Sequence, residues 1–189
     1  VFLVLAVLLS TVSAGLVFIP PQERGVVISA VAAKGYREEA LQPGLRWIVP
    51  FFESVITYPI SSQTYTMSIA ASEGAIQGDD SIAARTSDGQ EIYVDASVIY
   101  AINPEDVVQV HIIWQERYSD DLVRPLARGI VRDIVSQFGV EEVVSSQRIV
   151  MTDQIKQQMS SRLAANGLIL VDFILRNITF SAEYAASVE

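Results

Sequence analysis

The sequence predicts an α/β protein of the α+β kind, built on a single membrane-spanning helix. Three features predict it. The chain opens on Val1–Ile19, VFLVLAVLLSTVSAGLVFI, without a charge. Short alternating runs rich in β-branched residues follow. The second half then switches to the helical period, with caps and stops at the expected places.

The opening run comes first. At about 1.5 Å per residue its helix is roughly 28 Å long, close to the hydrocarbon thickness of a bilayer. Ser10, Thr11, Ser13 and Gly15 are compatible with a spanning helix. Pro20-Pro21 ends it. A cleaved signal, with Val12 and Ala14 before a cut at Gly15, is the competing reading, and the uninterrupted apolar length favours the retained anchor. The sequence starts inside this run and stops at Glu189 inside another helical pattern, so it reads as part of a longer protein.

From 20 to 85 the pattern is strand-rich: Gly25–Val31 is a strand, Pro43-Gly44 a turn, and Val55, Thr57, Tyr65 and Met67 mark further strands. From 86 to 180 it is α/β. Ser87-Asp88-Gly89 turns into a long strand with Ile92, Val94, Ala96, Val98, Tyr100 and Ile102 on one face and Asp95 and Ser97 on the other. Asn103-Pro104-Glu105-Asp106 starts a helix. A second helix is expected from Ser119 to Phe138, stopped by Gly139, and a third from Gln147 to Asn166 with Ile155, Met159 and Leu163 on its apolar stripe. A strand over Leu168–Phe180 and a truncated helix over 181–189, the beginning of a coiled coil, complete the chain.

Composition excludes much chemistry. The net charge of −9 opposes nucleic-acid binding. Without cysteine there is no disulfide, thiol nucleophile or cysteine-bound zinc, and His111 alone cannot supply paired imidazoles. No catalytic, cofactor or metal site is expected. Adjacent acids such as Glu38-Glu39, Asp79-Asp80, Asp120-Asp121 and Glu141-Glu142 diverge on any regular element and fit solvated or helix-end positions. Only the Asp79-Asp80 loop suggests a cation, and it lacks the spacing of a calcium loop. A serine hydrolase needs His111, Lys34 or Lys156 as its base, and none lies in a hydrolase motif. Asn177-Ile178-Thr179 matches a glycosylation acceptor by chance, inside a strand.

Two residue sets qualify as contact sites. Trp47, Phe51 and Phe52 follow the anchor closely enough to meet the membrane interface, although aromatics in strands are more often core. Arg124, Arg128 and Arg132 recur every four residues on one helix face, opposite the apolar stripe Leu122, Leu126, Ile130 and Ile134. A solvated face is the ordinary account of such a stripe. The sharper expectation is a contact between subunits, with the stripe of one meeting Asp79, Asp80, Asp88 and Glu91 of the next, since Glu73–Asp95 holds only Arg85 against its acids.

LQPGLRWIVPFFESV (Leu41–Val55), TSDGQEIYVDASVIYAIN (Thr86–Asn103), VRPLARGIVRDIVSQFGVEEVVSSQR (Val123–Arg148) and GLILVDFILRNITFSAEYAASVE (Gly167–Glu189) together resemble the SPFH (Band 7) family, its prohibitin branch most closely. The resemblance implies an SPFH head of two α/β subdomains and a non-enzymatic scaffold that assembles into rings or cages and organises membrane microdomains. It implies a homo-oligomer, or one alternating with a paralogous subunit, and a membrane-bound AAA protease of the FtsH type as partner. It also implies an extracytoplasmic head, or one in the intermembrane space. The family's coiled coil is not contained in this sequence. An anchored Ser-Lys or Ser-His hydrolase and a secreted binding module are the rival classes.

Overall fold

A computed structural model of the protein describes residues 13–145 and 147–181. They form two compact units: Val1–Ser61 with Ile102–Ile113, and Ser62–Ala101 with Trp114–Glu189, so far as each is described.

The first unit holds β1 (Leu16–Ile19), β2 (Glu23–Ser29), β3 (Gly44–Trp47), β4 (Glu53–Pro59) and α1 (Val107–Ile113). β1 pairs antiparallel with β3, and β2 with β4. Val26 and Val27, both β-branched, fill the centre of β2 and are buried with Ile19, Ile48, Tyr58, Val107 and Val110. Gly44 opens β3 at φ 103°, the left-handed region where glycine carries no Cβ penalty, so the Pro43-Gly44 turn falls where the sequence places it.

One element differs from its expectation. Leu16–Ile19 is strand, not the end of a spanning helix; of the apolar run only Ser13 and Ala14 are described as helical. Val17 and Ile19 are β-branched, and pairing with β3 satisfies the backbone that a helix would otherwise satisfy. Residues 1–12 of the expected anchor lie outside the described residues, as does the expected helix after Ser181. Among the described residues no helix is long and apolar enough to cross a membrane.

Gly15 is where the chain changes from helix to strand. The Ile48 amide donates to its carbonyl at 2.8 Å, and a Cβ on Gly15 would lie 2.3 Å from the Ile48 carbonyl oxygen. Backbone cannot yield as a flexible side chain would. Gly15→Ala is therefore expected to destabilise the β1–β3 pair by about 1–3 kcal/mol, the usual cost of overpacking. Amide exchange at Ile48 should accelerate, and an unchanged rate would disprove the fit.

The second unit is a sheet covered by helices. β5 (Gln63–Met67) and β6 (Ile82–Arg85) pair antiparallel with separate stretches of β7 (Glu91–Ile102), and β8 (Leu168–Phe180) also pairs with β7. Because β5 and β6 belong to this sheet, the boundary between units falls at Ser61–Ser62, ahead of the expected one at 85–86. A 3₁₀ turn (Gln115–Arg117), a π turn (Tyr118–Val123), α2 (Arg124–Val135), α3 (Val140–Val144) and α4 (Gln147–Ala164) follow.

β7 is buried on both faces. The apolar set from Ile92 to Ile102 is almost fully enclosed, and the polar set is enclosed as well. Asp95 accepts from the Ile69 amide at 2.9 Å, and the Ser97 hydroxyl meets that of Thr66 at 2.9 Å. Such pairing is what permits polar groups inside. In α2 the buried residues are Ala127, Ile130, Val131, Ile134 and Val135, so Leu126 is left half-exposed. Ile130 and Ile134 of the expected stripe are buried, as is Leu122 in the π turn before α2. In α4 the expected stripe holds, extended by Met151.

Candidate functional site

In the first unit, Trp47 ends β3 and Phe51 and Phe52 occupy the loop before β4. All three are exposed, so the core reading of these aromatics does not hold. Phe51 is 92% exposed with φ 68°. A bulky residue in that region costs about 1–3 kcal/mol and persists only where its surroundings impose it. Here they do. Glu53, its side chain only 3% exposed, accepts from the Val49 amide at 2.8 Å and from Arg37 Nε at 3.0 Å, with a second bond from Arg37 Nη2. The Ala30 amide donates to the Phe52 carbonyl at 2.8 Å. The Arg37 guanidinium holds the Glu53 carboxyl below the usual carboxylate range, helped by the Val49 amide and opposed by burial.

In the second unit the arginine stripe folds onto its own chain. Arg124 Nη2 reaches Asp80 Oδ1 at 2.5 Å, and Arg128 Nη1 meets the same oxygen at 3.1 Å. Arg128 also donates to the carbonyls of Asp80 and Ser81, and Arg132 Nε to that of Ala83 at 2.9 Å. The Asp80 side chain is 3% exposed. Arg124 and Arg128 thus bind Asp80 within the chain, where the expected contact set them across subunits. Arg128 and Arg132, one helical turn apart, reach carbonyls two residues apart, those of Ser81 and Ala83.

The other acids of the expected contact are also engaged, save one. Asp79 accepts from the Ser81 hydroxyl at 2.6 Å and its amide at 2.9 Å, and both hold its carboxyl below the ordinary range. Asp88 accepts from the Thr86 hydroxyl and from the Val140 amide at 3.1 Å, tying the β6–β7 turn to the start of α3, with the same effect on its carboxyl. Glu91 is exposed, and with Arg85 and Arg132 lines a shallow groove of about 320 Å³.

Every candidate base has a structural partner. Lys34 pairs with Glu38 at 2.5 Å, Lys156 with Asp172 at 2.7 Å, and His111 Nδ1 lies 2.7 Å from the Tyr58 hydroxyl. Two more of the adjacent acids have partners close by in sequence. Asp121 binds Arg117, and Glu142 caps the Gly139 amide at 2.8 Å. Among the described residues no group of three or more His, Asp or Glu could hold a metal ion. Sequence reasoning missed Glu53 and the in-chain role of Asp80. The available signal was an acid directly after Pro50-Phe51-Phe52 and another directly before a strand.

One unit is strand-rich and the other α/β, and among the described residues no group of three or more His, Asp or Glu converges. The SPFH domain / Band 7 family matches residues 17–189, and the chain belongs to that family. It is similar to prohibitin 1 of Drosophila melanogaster, 23% identical over 184 residues, which covers 97% of this chain and 61% of the fly protein. It is also similar to prohibitin-1 of Saccharomyces cerevisiae, 25% identical over 169 residues, covering 88% of this chain and 52% of the yeast protein. The mitochondrial prohibitin-1 of Arabidopsis thaliana shares 19% identity over 155 residues, 82% of this chain and 49% of that protein. The chain thus spans between half and three fifths of the relatives it matches.

Proposed function

We propose that the chain is the membrane-proximal head of an anchored, oligomeric scaffold without catalytic activity. The family match across 17–189 carries the reading. The local engagement of Lys34, Lys156 and His111 supports it against the hydrolase alternative. The charge-free sequence ahead of Gly15 belongs to the anchor, and Trp47, Phe51 and Phe52 meet the membrane interface. Copies assemble laterally into a ring or cage that organises the surrounding membrane, with the head outside the cytoplasm. Regulation of a membrane-bound AAA protease of the FtsH type is the role this reading implies. With Arg124, Arg128, Asp79, Asp80 and Asp88 engaged at home, exposed Arg132 and Glu91 are the charges left for a neighbouring subunit.

Solubilised in mild detergent, the full-length protein is expected to run as a megadalton-scale particle. A monodisperse monomer would end the scaffold reading. Arg132→Glu should shrink the particle, and more so as salt is lowered, because exposed charges interact over a Debye length that grows from about 10 Å at 0.1 M to about 30 Å at 0.01 M.

A further inference from the structure

β8 pairs with β7 and with no other strand among the described residues, so one of its edges has no strand beside it. The usual devices that close an edge are missing. LILVDFILRNITF contains neither lysine nor proline, and Arg176 is paired with Glu73 at 2.5 Å. Ile169, Val171 and Ile174 are exposed along the strand. Two of its backbone groups are met by side chains instead. The Phe173 amide donates to the Asp172 carboxylate at 2.8 Å, and Arg148 Nη2 donates to the Leu175 carbonyl at 3.1 Å. Backbone groups of residues two apart point to the same edge, where one further strand can bind both.

α4 packs along β8 and leaves a groove of about 390 Å³ beside it. Ile149, 71% exposed, and Ile174, 43% exposed, are its apolar walls. Arg148, Lys156 and Asp172 line it too, the last two joined at 2.7 Å. We propose that this groove takes an extended acidic segment of a partner protein as an added strand of the sheet. A carbonyl of the segment replaces Asp172 at the Phe173 amide, and an amide of the segment replaces Arg148 at the Leu175 carbonyl. Asp172 retains Lys156 when it is displaced. Arg148 retains nothing, because the Leu175 carbonyl is the only partner of its guanidinium among the described residues. A carboxylate on the segment has to meet it, and this selects an acidic occupant. β-Branched residues beside that acid suit the walls at Ile149 and Ile174. A second copy of the chain fits less well. Two β8 edges paired about a two-fold axis close a dimer, whereas a ring needs a head-to-tail contact. β6 offers no open edge in return, since Arg128 and Arg132 hold the carbonyls of Ser81 and Ala83. The inference deepens the scaffold reading by naming what the head holds.

The test uses the full-length protein in mild detergent and a fluorescein-labelled peptide, Thr-Val-Glu-Val-Thr-Val. Its anisotropy should rise saturably with protein. N-methylation of one alternate set of its amides should weaken binding about tenfold, the worth of one hydrogen bond, and methylation of the other set should not. Glutamine in place of its glutamate should cost about tenfold against wild type and nothing against Arg148→Gln. Asp172→Ala vacates the Phe173 amide and should tighten binding, a gain that damage to the fold would not produce. No saturable rise would overturn the proposal, as would binding indifferent to both N-methylation and Asp172→Ala. An Arg148→Gln chain that still prefers the glutamate peptide would overturn the acidic specificity. The chain has no cysteine, so Ile174→Cys sets a single thiol at this strand, and disulfide-linked pairs of chains would overturn the proposal in favour of a second copy. Sedimentation of the same sample tests the scaffold reading separately. A monomer that binds the peptide loses that reading and keeps the groove, and a megadalton particle that does not bind it does the reverse.

Discussion

Asp80→Ala should destabilise the second unit by about 3 kcal/mol or more, the cost of removing one partner from a buried ion pair. Asp80 is the shared counter-charge of Arg124 and Arg128, and its own side chain is nearly inaccessible. Without it two guanidinium groups one helical turn apart lose their shared carboxylate, and Arg128 keeps bonds only to the carbonyls of Asp80 and Ser81. Partial exposure of the arginines keeps the loss near the low end. Asp80→Asn keeps an acceptor and should fall between the two. The urea midpoint of each variant measures the effect, and equal midpoints for wild type and Asp80→Ala would refute the clamp. Arg128→Glu belongs to the same set, because it sets a carboxylate against Asp80. Its loss of assembly would report damage to the fold. Arg132→Glu removes only one bond to an exposed carbonyl, roughly 1 kcal/mol, and is the cleaner probe of subunit contacts.

Acid should loosen the aromatic loop of the first unit. The Glu53 carboxyl titrates below its ordinary range in the folded chain, whereas unfolded it titrates near the usual glutamate value of about 4.3. Between those two values the unfolded state binds the extra proton. The stabilisation is therefore complete above about pH 4.3 and declines as pH falls through the lowered folded value. Glu53→Gln should cost about 2 kcal/mol at neutral pH, in the range for hydrogen bonds to a charged group, and should flatten the acid limb of the stability curve. Asp79, Asp88 and Asp172 are lowered too, so a residual slope is expected in the variant. Thermal midpoints measured from neutral pH down to pH 3 decide it. Identical acid slopes in wild type and Glu53→Gln would remove Glu53 from the account.

Periodicity made much of this legible. The strand of β7 and the four-residue stripe of α4 are local patterns, and both elements appear in the structure, although β7 is buried on both faces rather than one. The stripe of arginines was legible as a stripe, but its partner lies more than forty residues away, beyond any window of spacing. The apolar stripe of this region was legible at Leu122, Ile130 and Ile134, all buried, whereas the π turn before α2 leaves no periodic trace of its own. Leu16–Ile19 misled for a chemical reason: leucine, valine, phenylalanine and isoleucine suit a lipid-facing helix and a strand equally, and only pairing with β3 separates the two. The exposure of Phe51 could not be read at all. It depends on a positive φ held by Glu53 and Arg37, groups that sequence patterns do not connect to it.

The first unit is assembled from two separated pieces of chain, and that has a consequence during synthesis. The strands up to Ser61 are complete long before α1, whose Val107 and Val110 share the buried interior with Val26 and Val27. At about 5–20 residues per second, the ribosome needs roughly 3–10 s to deliver the missing helix. During that interval the β2–β4 pair presents an uncovered apolar side, while the strands of the second unit emerge beside it. A nascent chain stalled before Ile102 should consequently be a chaperone client and protease-sensitive, and extension past Ile113 should end both vulnerabilities in one step.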